Sequence, residues 1–211
     1  MTDNWDGMTL REFQAALASS SPTPGGGTAA AIALGQSAAL SCMVCDLTIG
    51  KEKWQSGWSI SEQVSDIAIP LFTRSLELAS EDSAAFDEVM AAFRMPKDDD
   101  GQIKLRRDEI RRATLEAART PLETARLAFQ LLSALPELAT HGNGNAVSDV
   151  GVASLLASAA CKGALMNVEI NLSSLPDDMG VDERTECAKI KQEVSILSRS
   201  SINAVQERLS S

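Results

Sequence analysis

The sequence predicts an all-α fold, a multihelical bundle packed around one buried helix rich in small residues. Three observations predict it. From Ser21 to Lys51 the chain reads SPTPGGGTAAAIALGQSAALSCMVCDLTIGK, where two prolines and three consecutive glycines exclude a helix and a long run follows with no charge before Asp46. Elsewhere apolar residues recur at helical spacing, and no segment alternates as a strand would. The small residues of the central run let other backbones come close, so neighbouring helices, some from a second subunit, are expected to crowd against it.

No linker or change of composition divides the 211 residues, so 1–211 is read as a single domain. A formal charge of −10 weighs against nucleic acid or an anionic membrane surface as the main partner. The Ala, Ser and Gly content of the central run, with Gln36 and Asp46, makes it a weak bilayer span. No basic segment leading into an apolar one opens the sequence, so a cytoplasmic protein is expected. Cys42, Cys45, Cys161 and Cys187 sit in apolar helical patterns and read as reduced core residues rather than as metal or redox sites. His141 is the only histidine and tyrosine is absent, which leaves carboxylates, lysines and amides for any catalysis.

Taken in order, Thr9-Leu-Arg-Glu12 has the form of a capping box opening a short amphipathic helix that stops near Ser19. Pro22, Pro24 and Gly25 to Gly27 form a loop without the Gly-Lys-Ser/Thr of a phosphate-binding loop. Its simplest reading is a tight turn; its functional reading uses the free amides of the following helix start to hold a ligand carboxylate. Ser59-Ile-Ser-Glu62 predicts another capped helix, kinked or restarted near Asp66 by Pro70, with Val64, Ile67, Leu71, Leu78, Phe86, Val89, Met90 and Phe93 as its inner stripe. Asp82 falls on that stripe, four residues from Leu78 and from Phe86. A carboxylate facing core side chains either bonds to something structural or has a raised pKa suited to moving protons.

Met95 to Gly101 reads as a polar loop, Lys104 to Arg119 as a charged, exposed helix, and Thr120-Pro-Leu-Glu123 as a new helix start with Pro at its first position. The stretch His141 to Asp149 predicts a loop into a further apolar helix, which Asp149 either caps or opens to a ligand. Asn167 and Asn171 share a face late in that helix, and a last helix runs from about Glu183 to Leu209 with Ile190, Val194, Leu197 and Val205 inward.

Together SPTPGGG with the small-residue helix, LTIGKEKW, EDSAAF, AFRMPK, TPLE, SDVGVA and NVEINL resemble the cyclodeaminase/cyclohydrolase family of folate enzymes over nearly the whole chain. The resemblance implies an all-α homodimer that acts on a tetrahydrofolate derivative with no bound cofactor or metal. It implies a catalytic role for Asp82, and pocket-lining roles for Gly25, Gly26, Gly27, Lys51, Asp149, Asn167 and Asn171. The chain's length is that of the free-standing methenyltetrahydrofolate cyclohydrolases, so that activity is expected ahead of the ammonia-releasing formiminotetrahydrofolate cyclodeaminase and of a non-catalytic folate-binding dimer. Lys51, Lys53, Arg94 and Lys97 are the cations expected to meet the folate's glutamate tail, and Trp54 or Trp58 the aromatics available to its pterin. Trp54 stands where the family has Tyr or Phe.

Overall fold

A computed structural model describes residues 5–210, and no strand occurs among them. A 3-10 turn at Trp5–Gly7 precedes α1, Leu10–Leu17, which opens on the expected capping box. There Glu12 Oε2 accepts from the Thr9 amide at 2.8 Å, and Thr9 Oγ1 accepts from the Glu12 amide at 3.3 Å. The central run folds as α2, Gly26–Thr48, after a loop with a cis Thr23–Pro24 peptide. It packs against α3 (Trp58–Ala68), α4 (Leu71–Phe93) and α6 (Val147–Ser173).

Small residues make that packing close. Ser37 Oγ on α2 donates to the Ala153 carbonyl of α6 at 2.7 Å, a backbone approach that a larger side chain at 37 would prevent. Ala31, Leu34, Ala38, Val44 and Cys45 of α2 are fully buried. The remaining long helices, α5 (Asp100–His141) and α7 (Val181–Leu209), close the bundle over α6. Leu122, Leu131, Leu132 and Leu135 of α5 are fully buried, each burial favouring the fold by about 1.5–3 kcal/mol before entropy is counted. Cys45, Cys161 and Cys187 are buried free thiols, and burial pushes the Cys161 thiol up to about 12, consistent with packing rather than nucleophilic use.

Several elements depart from the sequence reading. Thr120-Pro121 starts no helix: α5 is one helix of 42 residues with Pro121 and Pro136 inside it. Pro121 has no N–H for the Ala117 carbonyl, and Asn171 Nδ2 of α6 donates to that carbonyl at 2.8 Å instead. Ala118, Leu122 and Ala125 on either side of the proline are fully buried, so packing against neighbouring helices holds the helix continuous through it. Ser59 caps nothing, because a 3-10 segment at Glu52–Gly57 runs straight into α3 at Trp58 and places Ser59 within the helix, where it accepts from Gln63. Pro70 does break the chain, with α3 ending at Ala68 and α4 beginning at Leu71.

The inner stripe of α4 also ends early. Leu71 and Leu78 are buried, but Phe86 and Phe93 are 36% and 48% exposed. Below Ser83 the helix runs past the body of α2, so its apolar face meets a cleft and solvent instead of core. A similar excess of apolar surface marks α6, whose Val152, Leu155, Met166 and Ile170 are all exposed. By length and composition α2 and the segment Gly144–Ser173 are each long and apolar enough to cross a bilayer, although about half of each is buried in the bundle.

Candidate active site

The glycine run, the middle of α4 and the end of α6 meet at one end of the bundle. They enclose a cleft of about 350 Å3 lined by Gly25, Gly26, Gly27, Asp82, Asn167 and Asn171, with Phe86, Val89 and Ile170 as apolar walls. Asp82 is the only titratable side chain among the described residues that line it.

Asp82 is half-buried against the first turn of α2. A β-carbon at Gly27 would overlap its carboxylate, so the absence of a side chain at 27 is what admits the acid. Thr28 Oγ1 donates to Asp82 Oδ2 at 3.1 Å, and the Thr28 amide donates to the same carboxylate. Burial pushes the Asp82 carboxyl above the ordinary aspartate range, and the Thr28 hydroxyl and amide pull it only part of the way back. The amides at the start of α2 thus serve, in part, a carboxylate of the chain itself.

Both asparagines are oriented by a single bond. Asn167 Nδ2 donates to the Gly163 carbonyl at 2.9 Å and lies against Gly26, while Asn171 Nδ2 reaches the carbonyl that Pro121 leaves open. An amide carries two N–H groups and an oxygen, so each keeps capacity for a ligand. The cleft therefore offers one anion, two amides, glycine backbone and an apolar wall. Such a set can hold a flat apolar ligand, favour positive charge on it, and accept or return a proton.

Two residues expected in the pocket lie elsewhere. Lys51 follows the far end of α2, roughly 30 Å along the helix from Gly27, and Asp149 sits in the first turn of α6, roughly 27 Å from Asn167. Both therefore lie outside the cleft of their own chain. Nor does Asp149 cap α6, whose N-cap is Ala146. The proposed cation set splits the same way: Arg94 and Lys97 follow α4 on the cleft side, while Lys53 lies over the Trp54 ring at 4.6 Å at the far end. Trp54 also stacks under Arg208, and Trp58 Nε1 donates to the Thr48 carbonyl at 3.0 Å, so neither aromatic reaches the cleft.

The residues that the sequence reading passed over are Thr28, Phe86, Val89 and Ile170. Thr28 had a signal, a hydroxyl directly after the glycines in the first helical turn; Phe86 and Val89 lie on a helical stripe that looks the same whether a cleft or a core lies beyond, and Ile170, between the two asparagines, carries no mark of its own.

A family model described as formiminotransferase-cyclodeaminase matches residues 9–189. Methenyltetrahydrofolate cyclohydrolase from Methylorubrum extorquens is 39% identical over 176 residues, covering 83% of this chain and 85% of that protein. Formimidoyltransferase-cyclodeaminase from Rattus norvegicus is 31% identical over 174 residues, which is 81% of this chain and 32% of that longer one. Among solved structures, formiminotetrahydrofolate cyclodeaminase from Thermotoga maritima is similar with a TM-score of 0.85 and 26% identity, over 97% of this chain and 98% of that one.

Proposed function

The chain belongs to the formiminotransferase-cyclodeaminase family, and from that premise we propose that it is an enzyme that hydrolyses 5,10-methenyltetrahydrofolate to 10-formyltetrahydrofolate. One observation supports this most directly: among the described residues that line the cleft, a single half-buried carboxylate, Asp82, carries the charge. The methenyl bridge is a delocalised cation, and an anion in a partly desolvated pocket favours it there.

Water adds to the bridging carbon and Asp82 takes its proton as general base. The tetrahedral adduct then opens by cleavage of its carbon–N5 bond: its hydroxyl gives up a proton as the carbonyl forms, Asp82 returns a proton to N5, the formyl group stays on N10, and one proton is released overall. Asn167 and Asn171, which line the cleft with an N–H each to spare, donate to the oxygen in this reading. A carboxyl whose proton affinity is raised by burial suits both taking that proton and returning one to the departing nitrogen.

A homodimer is part of the proposal. Ile170 belongs both to the cleft wall and to the exposed apolar face of α6 with Val152, Leu155 and Met166, so a second copy seated on that face would also close the cleft. Lys51 and Asp149 enter the site only if that copy brings them. The fold likeness to a cyclodeaminase over 97% of the chain favours a second reading, release of ammonia from a formimino-folate, which asks for proton delivery at the same place.

Purified protein given the methenyl compound, without added metal or nucleotide, is expected to discharge its absorbance without releasing ammonia. Ammonia from the formimino compound and no hydrolysis of the methenyl one would reverse the assignment.

A further inference from the structure

One hydroxyl joins the cleft to the interior of the protein. Trp5 Nε1 donates to Ser83 Oγ at 3.0 Å, Ser83 Oγ lies 3.3 Å from Thr28 Oγ1, and Thr28 Oγ1 donates to Asp82 Oδ2 at 3.1 Å. Trp5, Ser83 and Thr28 are all buried, Thr28 completely. Water therefore does not compete for these bonds.

The chain of bonds has a direction. An indole N–H can only donate and an ionised carboxylate can only accept, so the two ends orient the hydroxyls between them. Thr28 Oγ1 also receives the Gly25 amide at 3.4 Å. With the Gly25 amide and the Ser83 hydroxyl directed at its lone pairs, the single Thr28 proton is left for Asp82. The Ala79 carbonyl, 3.5 Å from Ser83 Oγ, is the more distant alternative for the serine proton.

We propose that Thr28 is the positioning residue for Asp82, with its hydroxyl proton directed onto the carboxylate by the buried donors Ser83 and Trp5. This rests on the reading of Asp82 as the base. Ser83 beside the acid, with Thr28 and Trp5 far from it in sequence, thereby orients the reacting group and lowers the proton affinity that burial raises.

Among the described residues, burial and the Thr28 contacts account for the Asp82 shift, and the neighbouring charges are engaged elsewhere. Glu81, next on α4, is bound to Arg74 at 2.6 Å, and Arg74 also binds Glu123 of α5 at 3.1 Å. Arg119 of α5 binds Glu183 at 2.8 Å, and Glu169 of α6 binds Lys191 at 2.5 Å. Residues 26–45 of α2 carry no charge, and Asp6 of the N-terminal turn is exposed.

The test uses Thr28→Val, which keeps the shape and removes the hydroxyl, with Thr28→Ser as its rescue. In Thr28→Val the acid limb of the pH profile for kcat/KM is expected to move to higher pH, with a loss of roughly tenfold below the limb. Thr28→Ser is expected to restore both. Titration of the Asp82 carboxyl carbon by NMR in the ligand-free protein repeats the comparison without turnover, so failure of the folate assignment leaves this result standing. An unchanged Asp82 titration in folded Thr28→Val, or failure of Thr28→Ser to restore it, overturns the proposal. Should Thr28→Val not fold, Ser83→Ala and Trp5→Phe decide: each is expected to shift the titration in the same direction by less, and no shift in either overturns it.

Discussion

The two ends of the bundle carry similar residue types and use them in opposite ways. At the cleft end, glycines, asparagines, a threonine and an aspartate surround an open space. At the far end Thr48, Asn143, Trp54, Trp58 and Arg208 are spent on one another. Thr48 Oγ1 accepts the Asn143 amide at 2.9 Å, Asn143 Nδ2 donates to the Leu47 carbonyl at 2.8 Å, and Arg208 donates to the Thr140 and Gly142 carbonyls while covering the Trp54 ring. One end finishes its helices and the other leaves hydrogen-bonding capacity for a ligand. Polar residues at helix ends are therefore not in themselves a site; what distinguishes a site is capacity left over beside a space.

The largest effect that tests this contrast is at Asp82. Asp82→Asn is expected to lower kcat by ~10²- to 10⁴-fold in a folded protein, and retained activity would remove the residue from the mechanism. Its stability should move the other way. Because burial raises the folded carboxyl above its ordinary value of 3.8, the wild type is favoured fully below that value and loses the contribution as pH rises through the folded pKa. Asp82→Asn lacks that loss, so denaturant titrations should show the variant gaining on the wild type from acid toward neutral pH.

Next comes Gly27→Ala. Its methyl group would occupy the place of the Asp82 carboxylate, and the displaced acid is expected to cost about 10²-fold in kcat. Full activity would mean that the contact with α2 does not set the geometry. Asn171→Ala bears on both fold and cleft, since it leaves the Ala117 carbonyl unpaired beside Pro121; unfolding in urea should show a loss of about 1–3 kcal/mol. The smallest effect is expected at the far end. Asn143→Ala should lower stability by about 1 kcal/mol with kcat/KM unchanged. A fall in kcat/KM there would show that the far end of one copy serves the cleft of another.

Much of this was legible in the chain. The buried small-residue helix, the break at Pro70, the Thr9 capping box and the marked position of Asp82 all follow from local chemistry: backbone limits of Gly and Pro, capping, and helical spacing. The error at Thr120-Pro121 had a specific cause. A proline in a helix is a break unless something answers the orphaned carbonyl, and the group that answers it, Asn171, lies 54 residues away. The early end of the α4 stripe is similar, because helical spacing records which residues share a face and not what that face meets.

Sequence alone determined the helical class, the core helix and the acid on an apolar face, since each depends on residues within a turn or two of one another, but not every helix boundary. Only the tertiary structure decided which motif residues share a cleft. It joined Gly25 to Gly27, Asp82, Asn167 and Asn171 and left Lys51 and Asp149 some 30 Å away, because helices of 23 and 27 residues carry the two ends of a motif-rich segment to opposite ends of the bundle.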